Sequence, residues 1–396
     1  MTLFLTSRSV AVSNYSNLMV PGLSSPCGAI AYPTKLKDYN IMWVINQGGD
    51  STSLIFAGLN ISYILCLEGN LKHSEIRKHY FLDRYVIVAP KRSARPHKQQ
   101  KTDVYSADGC SFCTPQVNDP KLHTTTFELK DDKDSKKWCV KVIKNDFPAL
   151  SLDNIKAYGY QEVILETPDH GVELYELSLE GILRVFDVYI NRYLYASQLK
   201  GIKYTILFKN EGGKAGSSVD HSHSQLIALP IVPPKMEREA AAMDIYTAKH
   251  GTCPYCDIIK REKGGPRVIW EDEHLFVLAP YASENPYTAW FIPKRHVHSL
   301  DMLHENEKSS IAHALKKMLR CLDEVEVPYN YFFQNSLDCE SHHMVLKLDP
   351  RPNIWAGLEL GTGVIINPIP PEDVPEFYAQ KTKSDAKAEE ESKKAH

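Results

Sequence analysis

The sequence predicts an α+β protein built from two tandem copies of one unit, each an antiparallel sheet with a crossing helix. Three observations carry that expectation. A Cys-x-x-Cys pair opens each copy, Cys110/Cys113 in GCSFC and Cys253/Cys256 in GTCPYC. The elements that follow come in the same order both times: strand-like stretches, a histidine, a helical pattern, a strand, then a strand that opens with histidine. The apolar period is helical in one segment of each copy and strand-like in the segments around it.

Taken in order, residues 1–74 form an extension rich in Ser, Asn and Gly, without a sustained period. The first copy spans 75–235. After Cys110/Cys113 come WCVKVI and YQEVILETPDH, the latter ending in His170. Leu179, Ile182, Phe186 and Ile190 recur at three- and four-residue steps, and Ser178 is placed to cap that helix. The strand KYTILFKN, a Gly-rich turn and VDHSHSQLIALP close the copy. The second copy spans 236–380. Cys253/Cys256 precede RVIW, HLFVLAP and YTAWFIPKRH, which ends in His296. Ile311, Leu315, Met318 and Leu322 share one helix face, followed by YNYFFQN and SHHMVLKLDP. Residues 381–396 are a charged, low-complexity tail expected to be disordered.

Composition narrows the function. Of 396 residues, 43% are hydrophobic and 24% charged, as in ordinary globular proteins. A formal charge of −3 supplies no basic field for nucleic acid. The longest apolar run, Leu54 to Leu67, is interrupted by Gly58, Asn60 and Ser62 and is too short to span a bilayer. No basic segment precedes an apolar core at the start, so no signal peptide is read and a cytoplasmic protein is expected. In that compartment, paired Cys-x-x-Cys motifs point to metal rather than to disulfides.

Structural zinc takes four thiolate or imidazole ligands in a tetrahedron. The first copy offers Cys110, Cys113, His170 and His221; the second offers Cys253, Cys256, His296 and His343. His298 and His342 compete in the second set. His343 is preferred because it opens its apolar strand where His221 opens the first. Two zinc sites are therefore expected, each clamping the ends of three elements.

The alternation His221, His223, Gln225 puts all three on one strand face. With His221 on metal, His223 is free to attack phosphorus, forming a labile N–P bond. KNEGGKAGSS precedes it. Gly212, Gly213 and Gly216 let backbone N–H groups approach phosphate, Ser217 and Ser218 add hydroxyls, and Lys209 adds charge. Gln225 can donate to a non-bridging oxygen. Aligning His343 with His221 puts Val345 at the place of His223 and Lys347 at that of Gln225, so the second copy keeps the metal ligands and lacks the nucleophile.

From about Tyr85 to Glu376 the sequence resembles the galactose-1-phosphate uridylyltransferase family of the histidine-triad-like superfamily, which has two histidine-triad-like domains and a His-x-His-x-Gln motif. The resemblance implies that His223 takes a nucleotidyl group from a nucleotide sugar, releases sugar 1-phosphate and passes the group to a second acceptor. It assigns phosphate contacts to Ser218, Gln225 and Asn210. The NDFPAL segment nominates Asn145, Asp146 and Phe147 for the nucleotide, and APKRSARP nominates Arg92 and Arg95 for phosphate or sugar charge. The bacterial transferases hold the hexose with a glutamate and a tyrosine where this chain has Thr362 and Gly363, a departure shared with a branch that includes plant ADP-glucose phosphorylase. The leading expectation is a UDP-glucose–hexose-1-phosphate uridylyltransferase, with inorganic phosphate as acceptor in the phosphorylase alternative. A hydrolase is disfavoured because such enzymes carry a third histidine where Gln225 stands. A non-catalytic, zinc-stapled binding module is the reading of another class. The expected partners are a nucleotide sugar and a sugar 1-phosphate, with homodimerisation allowed and neither nucleic acid nor membrane involved.

Overall fold

A computed structural model describes strands over 29–36, 39–46 and 52–56, together with residues 73–94, 109–337 and 342–380. The chain divides into two compact units, 1–70 and 71–396. The first holds β1 (Ala29–Leu36), β2 (Tyr39–Asn46) and β3 (Thr52–Phe56), paired antiparallel in that order. The charged tail from 381 lies outside the described residues.

The second unit opens with the antiparallel pair β4 (Glu75–Lys78) and β5 (Tyr85–Val88). The first copy then supplies β6 (Thr125–Lys130), β7 (Trp138–Lys144), β8 (Tyr160–Leu165), α1 (Leu179–Ser197), β9 (Tyr204–Glu211) and β10 (His223–Leu229). Two helices follow, α2 (Pro234–His250) and α3 (Pro254–Glu262). The second copy supplies β11 (Val268–Glu271), β12 (Leu275–Leu278), β13 (Ala289–Pro293), α4 (Glu305–Glu324), β14 (Tyr329–Gln334) and β15 (Val345–Pro350). Helix α5 (Gly357–Thr362), β16 (Ile365–Asn367), which pairs with β5, and α6 (Val374–Ala379) end the unit.

Ten of these strands form one sheet in the order β6-β7-β8-β10-β9-β14-β15-β13-β12-β11, with antiparallel neighbours throughout. The last five repeat the arrangement of the first five in mirror order, and the two sets meet at β9 and β14. Each copy carries its long helix between its third and fourth strands, where an antiparallel sheet needs a crossing to skip one position.

The side chains explain the layers. Leu226 and Ala228 of β10, Leu207 of β9 and Leu346 and Leu348 of β15 are fully buried on the helix side of the sheet. Helix α1 meets them with Ile182, Val185, Phe186 and Tyr189, and α4 with Ile311, Leu315, Met318 and Leu322. Ser178 caps α1 as its sequence suggests, its Oγ accepting from the Gly181 N–H at 3.0 Å. Burial of each such aliphatic or aromatic side chain contributes about 1.5–3 kcal/mol. On the other face Val163, Leu165 and Ile143 pack under the Cys110–Cys113 loop, while Phe276, Leu278 and Ile292 pack under Met243 of α2 and Tyr255 and Ile258 of α3. Helix α2 stops where Gly251 turns left-handed (φ 70°), a conformation that favours glycine.

Candidate active site and metal centres

The two Cys/His sets each converge. Cys110, Cys113, His170 and His221 bring their ligand atoms within 4.8 Å of one another, and so do Cys253, Cys256, His296 and His343. In the first set the Cys113 Sγ lies 3.4 Å from His170 Nδ1 and 3.6 Å from His221 Nδ1, and the Cys110 Sγ lies 4.0 Å from the latter. In the second the Cys256 Sγ lies 3.3 Å from His296 Nδ1 and 3.6 Å from His343 Nδ1, with Cys253 Sγ at 4.0 Å from His343. A tetrahedral ion with ordinary metal–sulfur and metal–nitrogen bonds has edges of about 3.3–3.8 Å. The other ring nitrogen of the last histidine in each set is held in the same way. His221 Nε2 donates to the Thr167 carbonyl at 2.8 Å and His343 Nε2 to that of Pro293 at 3.0 Å, which leaves each Nδ1 free for a metal. Both sets fit a metal ion. His298 and His342 belong to neither set, and His342 Nε2 faces Asp244 Oδ1 at 2.8 Å instead.

The strand β10, which carries the candidate nucleophile, begins at His223, two residues later than the alternation alone suggests, because His221 and Ser222 lead into the first Cys/His set. His223 is 7% exposed, Gln225 half-buried, and the alternating face persists through Ile227. His223 Nδ1 lies 2.8 Å from the His221 carbonyl. A carbonyl only accepts, so the proton sits on Nδ1 and the lone pair on Nε2. Burial holds the ring below the ordinary imidazole pKa, with the His221 carbonyl acting the other way, so it is neutral near pH 7. The Phe112 ring, inside GCSFC, packs edge-on against His223 at 5.4 Å.

The Gly-rich connection joins β9 to β10 and so lies at the His223 end of the sheet. Gly212 (φ 81°) and Gly216 (φ 90°) are both left-handed, and a Cβ on Gly212 would come within 3.1 Å of Pro328. Ser217 donates its hydroxyl to the Val219 carbonyl at 3.0 Å, while Ser218 is exposed. Asn210 Oδ1 accepts from Asn330 Nδ2 at 2.8 Å, and the same amide donates to the Ala215 carbonyl at 2.8 Å. A residue of the second copy thus holds the turn of the first.

Lys209 departs from expectation. It is wholly buried on the helix side, donating to Glu166 Oε2 at 2.8 Å, Glu173 Oε2 at 3.0 Å and Ser222 Oγ at 2.6 Å. Its position in β9 has the parity of Leu207, which turns it away from Gln225 and from any bound phosphate. Burial opposes its charge, but the two carboxylates raise its pKa well above that of a free lysine.

In the NDFPAL segment, Asn145 Oδ1 accepts from the Phe147 N–H at 2.9 Å, Asp146 Oδ2 lies 2.8 Å from His123 Nδ1, and Phe147 is 95% exposed. His123 packs on Phe112 at 6.1 Å, which links this segment to the ring beside His223. A cavity of about 540 Å³ opens beside Asn145, between Thr124–Thr126, Gln161 and Arg192. It lies at the Tyr160 end of β8, whereas His223 pairs with Leu165 at the other, and His223 does not line it. Arg92 is exposed on the turn after β5, and Arg95 lies outside the described residues.

A family model for the galactose-1-phosphate uridyl transferase N-terminal domain matches residues 116–233. An ADP-glucose phosphorylase from Arabidopsis thaliana is 31% identical over 328 residues, 76% of this chain and 91% of that protein. The chain belongs to the galactose-1-phosphate uridylyltransferase family. A galactose-1-phosphate uridylyltransferase of Thermotoga maritima is 30% identical over 319 residues, 76% of this chain and 96% of its own. The crystal structure of the Arabidopsis thaliana phosphorylase with bound ADP-glucose superposes with a TM-score of 0.69 at 30% identity, covering 79% of this chain and all of that one. A uridylyltransferase structure gives 0.60 at 25% identity, covering 77% and 97%. This member of the family is thus an enzyme of the nucleotidyltransferase or phosphorylase kind, with the histidine-triad-like architecture its sequence suggests. Among the described residues, no helix is long and apolar enough to cross a membrane.

Sequence reasoning missed Phe112, His123, Glu166 and Asn330. Phe112 carried a signal, since it sits between the two cysteines of a candidate metal set. Asn330 reaches its partners across more than a hundred residues of chain, Glu166 meets Lys209 and Ser222 43 and 56 residues on, and His123 sits in a connection without a distinguishing pattern.

Proposed function

We propose that the protein moves a nucleoside monophosphate from a nucleotide sugar to a phosphate-bearing acceptor through a covalent nucleotidyl-His223. The observation that carries this reading is the 2.8 Å contact from His223 Nδ1 to the His221 carbonyl, which leaves the lone pair on Nε2 and so supports Nε2 as the nucleophile. Nε2 attacks the α-phosphorus, the bond from phosphorus to the bridging oxygen breaks, and sugar 1-phosphate departs with that electron pair. A phosphate oxygen of the acceptor then attacks phosphorus and the N–P bond returns its electrons to Nε2. Gln225, Ser218 and the backbone of the Gly212–Gly216 turn are assigned the non-bridging oxygens, whose charge shifts during transfer. Asn145, Asp146 and Phe147 are assigned the nucleoside, and Arg92 and Arg95 the outer phosphate or sugar. Zinc is the ion the Cys₂His₂ donor sets suit best. In this reading both ions are structural. One fixes His221 and hence the carbonyl that orients His223.

For the substrates, a UDP-hexose donor with hexose 1-phosphate as acceptor is supported by the family model and by the Thermotoga maritima relative. The second reading, ADP-glucose with inorganic phosphate, is favoured by the Arabidopsis thaliana relative and by Thr362 and Gly363, which end α5 where the bacterial transferases carry their hexose-binding pair. Incubating the enzyme with UDP-glucose or ADP-glucose labelled in the α-phosphate, then adding galactose 1-phosphate or phosphate, tests both. An alkali-stable, acid-labile adduct on His223, discharged by one acceptor, is expected. His223→Asn should keep fold and metal while losing turnover by several orders of magnitude; activity within tenfold of wild type refutes the assignment.

A further inference from the structure

The histidines of the His-Ser-His-Ser run face one side of the sheet, and the serines between them face the other. Ser222 Oγ sits 2.7 Å from Glu166 Oε2 and 3.0 Å from Glu173 Oε2, and it accepts from Lys209 Nζ at 2.6 Å. Ser224 Oγ lies 2.5 Å from Glu166 Oε1, which also accepts from the Tyr189 hydroxyl at 2.6 Å. The Ser222 carbonyl accepts from the Glu166 N–H at 3.2 Å. Glu166, Lys209, Ser222, Ser224 and Tyr189 are all at most 2% exposed.

The second copy shows what this place looks like without a nucleophile. Ser224 pairs with Lys209 in the first copy as Leu346 pairs with Phe333 in the second. Counting from His221 and His343, Met344 stands for Ser222 and Leu346 for Ser224. Phe333, Met344 and Leu346 are fully buried. At the places of Lys209, Ser222 and Ser224 the second copy therefore has only apolar side chains. A buried ionic cluster is commonly no more stabilising than such a layer, and often less so. The ionic version is found only in the copy that carries His223.

We propose that Lys209, Glu166 and Ser222 form a buried clamp that indexes His223 for nucleotidyl transfer, each a positioning residue that never meets substrate. The clamp rests on the proposed role of His223. Ser222 is gripped from three sides between the metal ligand and the nucleophile, so the strand cannot slide or twist there without breaking hydrogen bonds to charge. Lys209, expected from sequence to touch phosphate, acts from behind the strand.

Ser222→Ala tests the clamp while leaving the Lys209–Glu166 ion pair in place. The expected result is a stable, fully metallated protein whose single-turnover labelling on His223 falls about 10- to 150-fold, the value of one hydrogen bond to charged groups, with nucleotide-sugar affinity changed less than about threefold. Labelling at the wild-type rate, with only the melting temperature lowered, overturns the proposal. A second readout does not need turnover. In ¹⁵N-histidine spectra the wild-type His223 should show one tautomer, protonated at Nδ1, and Ser222→Ala a mixture. If the wild type forms no adduct with either sugar nucleotide, the proposed reaction fails, and the spectra alone decide on the clamp: one unchanged tautomer in Ser222→Ala overturns it.

Discussion

Breaking the two metal sites one at a time should separate what they do. Cys113→Ser and Cys256→Ser remove equivalent thiolates, each 3.6 Å from the Nδ1 of the histidine two residues before the last strand of its copy begins, His221 or His343. Both should lower metal content by one equivalent and reduce stability, because metal binding contributes to folding. Only the first site has the proposed nucleophile, His223, two residues on. Freeing His221 loosens the carbonyl that receives the His223 Nδ1–H at 2.8 Å. That bond strengthens as the ring gains positive charge on bonding phosphorus, and a hydrogen bond to a charged group contributes about 1.5–3 kcal/mol. Its loss slows adduct formation by about 10- to 150-fold. In the second copy Val345 occupies the corresponding place, so Cys256→Ser should label His223 within threefold of wild type per folded molecule. The assay is single-turnover labelling at 10 °C or so, normalised to the folded fraction by circular dichroism, with metal measured by atomic emission. Equal losses of labelling rate in the two variants would refute the link from metal through His221 to His223.

Other outcomes follow from buried charge. Arg192 grips Glu162 with two hydrogen bonds, 2.9 and 2.8 Å, and Glu162 is fully buried. Arg192→Met should cost about 3–5 kcal/mol, read from the urea midpoint, and a Glu162→Met partner change should recover most of it; a single-variant loss under about 1 kcal/mol contradicts the reasoning. Glu211 is pushed up to about 8 by burial, against the pull of Lys209 and with Glu173 adding to the rise. A carboxyl raised on folding contributes stability that is complete below its unfolded pKa and is lost as pH rises towards 8. Glu211→Gln should therefore gain stability on wild type between pH 5 and 9, and parallel pH profiles for the two proteins would show that Glu211 titrates normally.

What could be read in advance follows from how local each constraint is. Metal ligands are chemically strict, so two thiolates and two histidines per copy were recognisable though spread over about a hundred residues, and all eight converge. The α1 and α4 faces were legible because period and burial coincide. The early strands β4 and β5 and the helices α2 and α3 were not, since short elements that pack against an existing sheet need no pattern of their own. Lys209 shows the limit most clearly. A lysine beside a Gly-rich turn reads as a phosphate ligand, and its reversal depends on Glu166, 43 residues earlier, lying beneath the same strand. Asn330 was silent for a similar reason: its amide reaches the turn only because β14 happens to adjoin β9.

That junction has a consequence for anyone who would shrink or transplant the enzyme. A gene cut after residue 235 keeps only five strands of the ten-stranded sheet, and the outermost of them, β9, leaves the backbone groups of its free edge exposed to water, an invitation to self-association. The fragment also lacks the amide that steadies the Gly-rich turn from across the seam. Fission products should recover their chemistry only on recombination with the remainder, because β14 of the second copy completes both the sheet edge and the turn of the first.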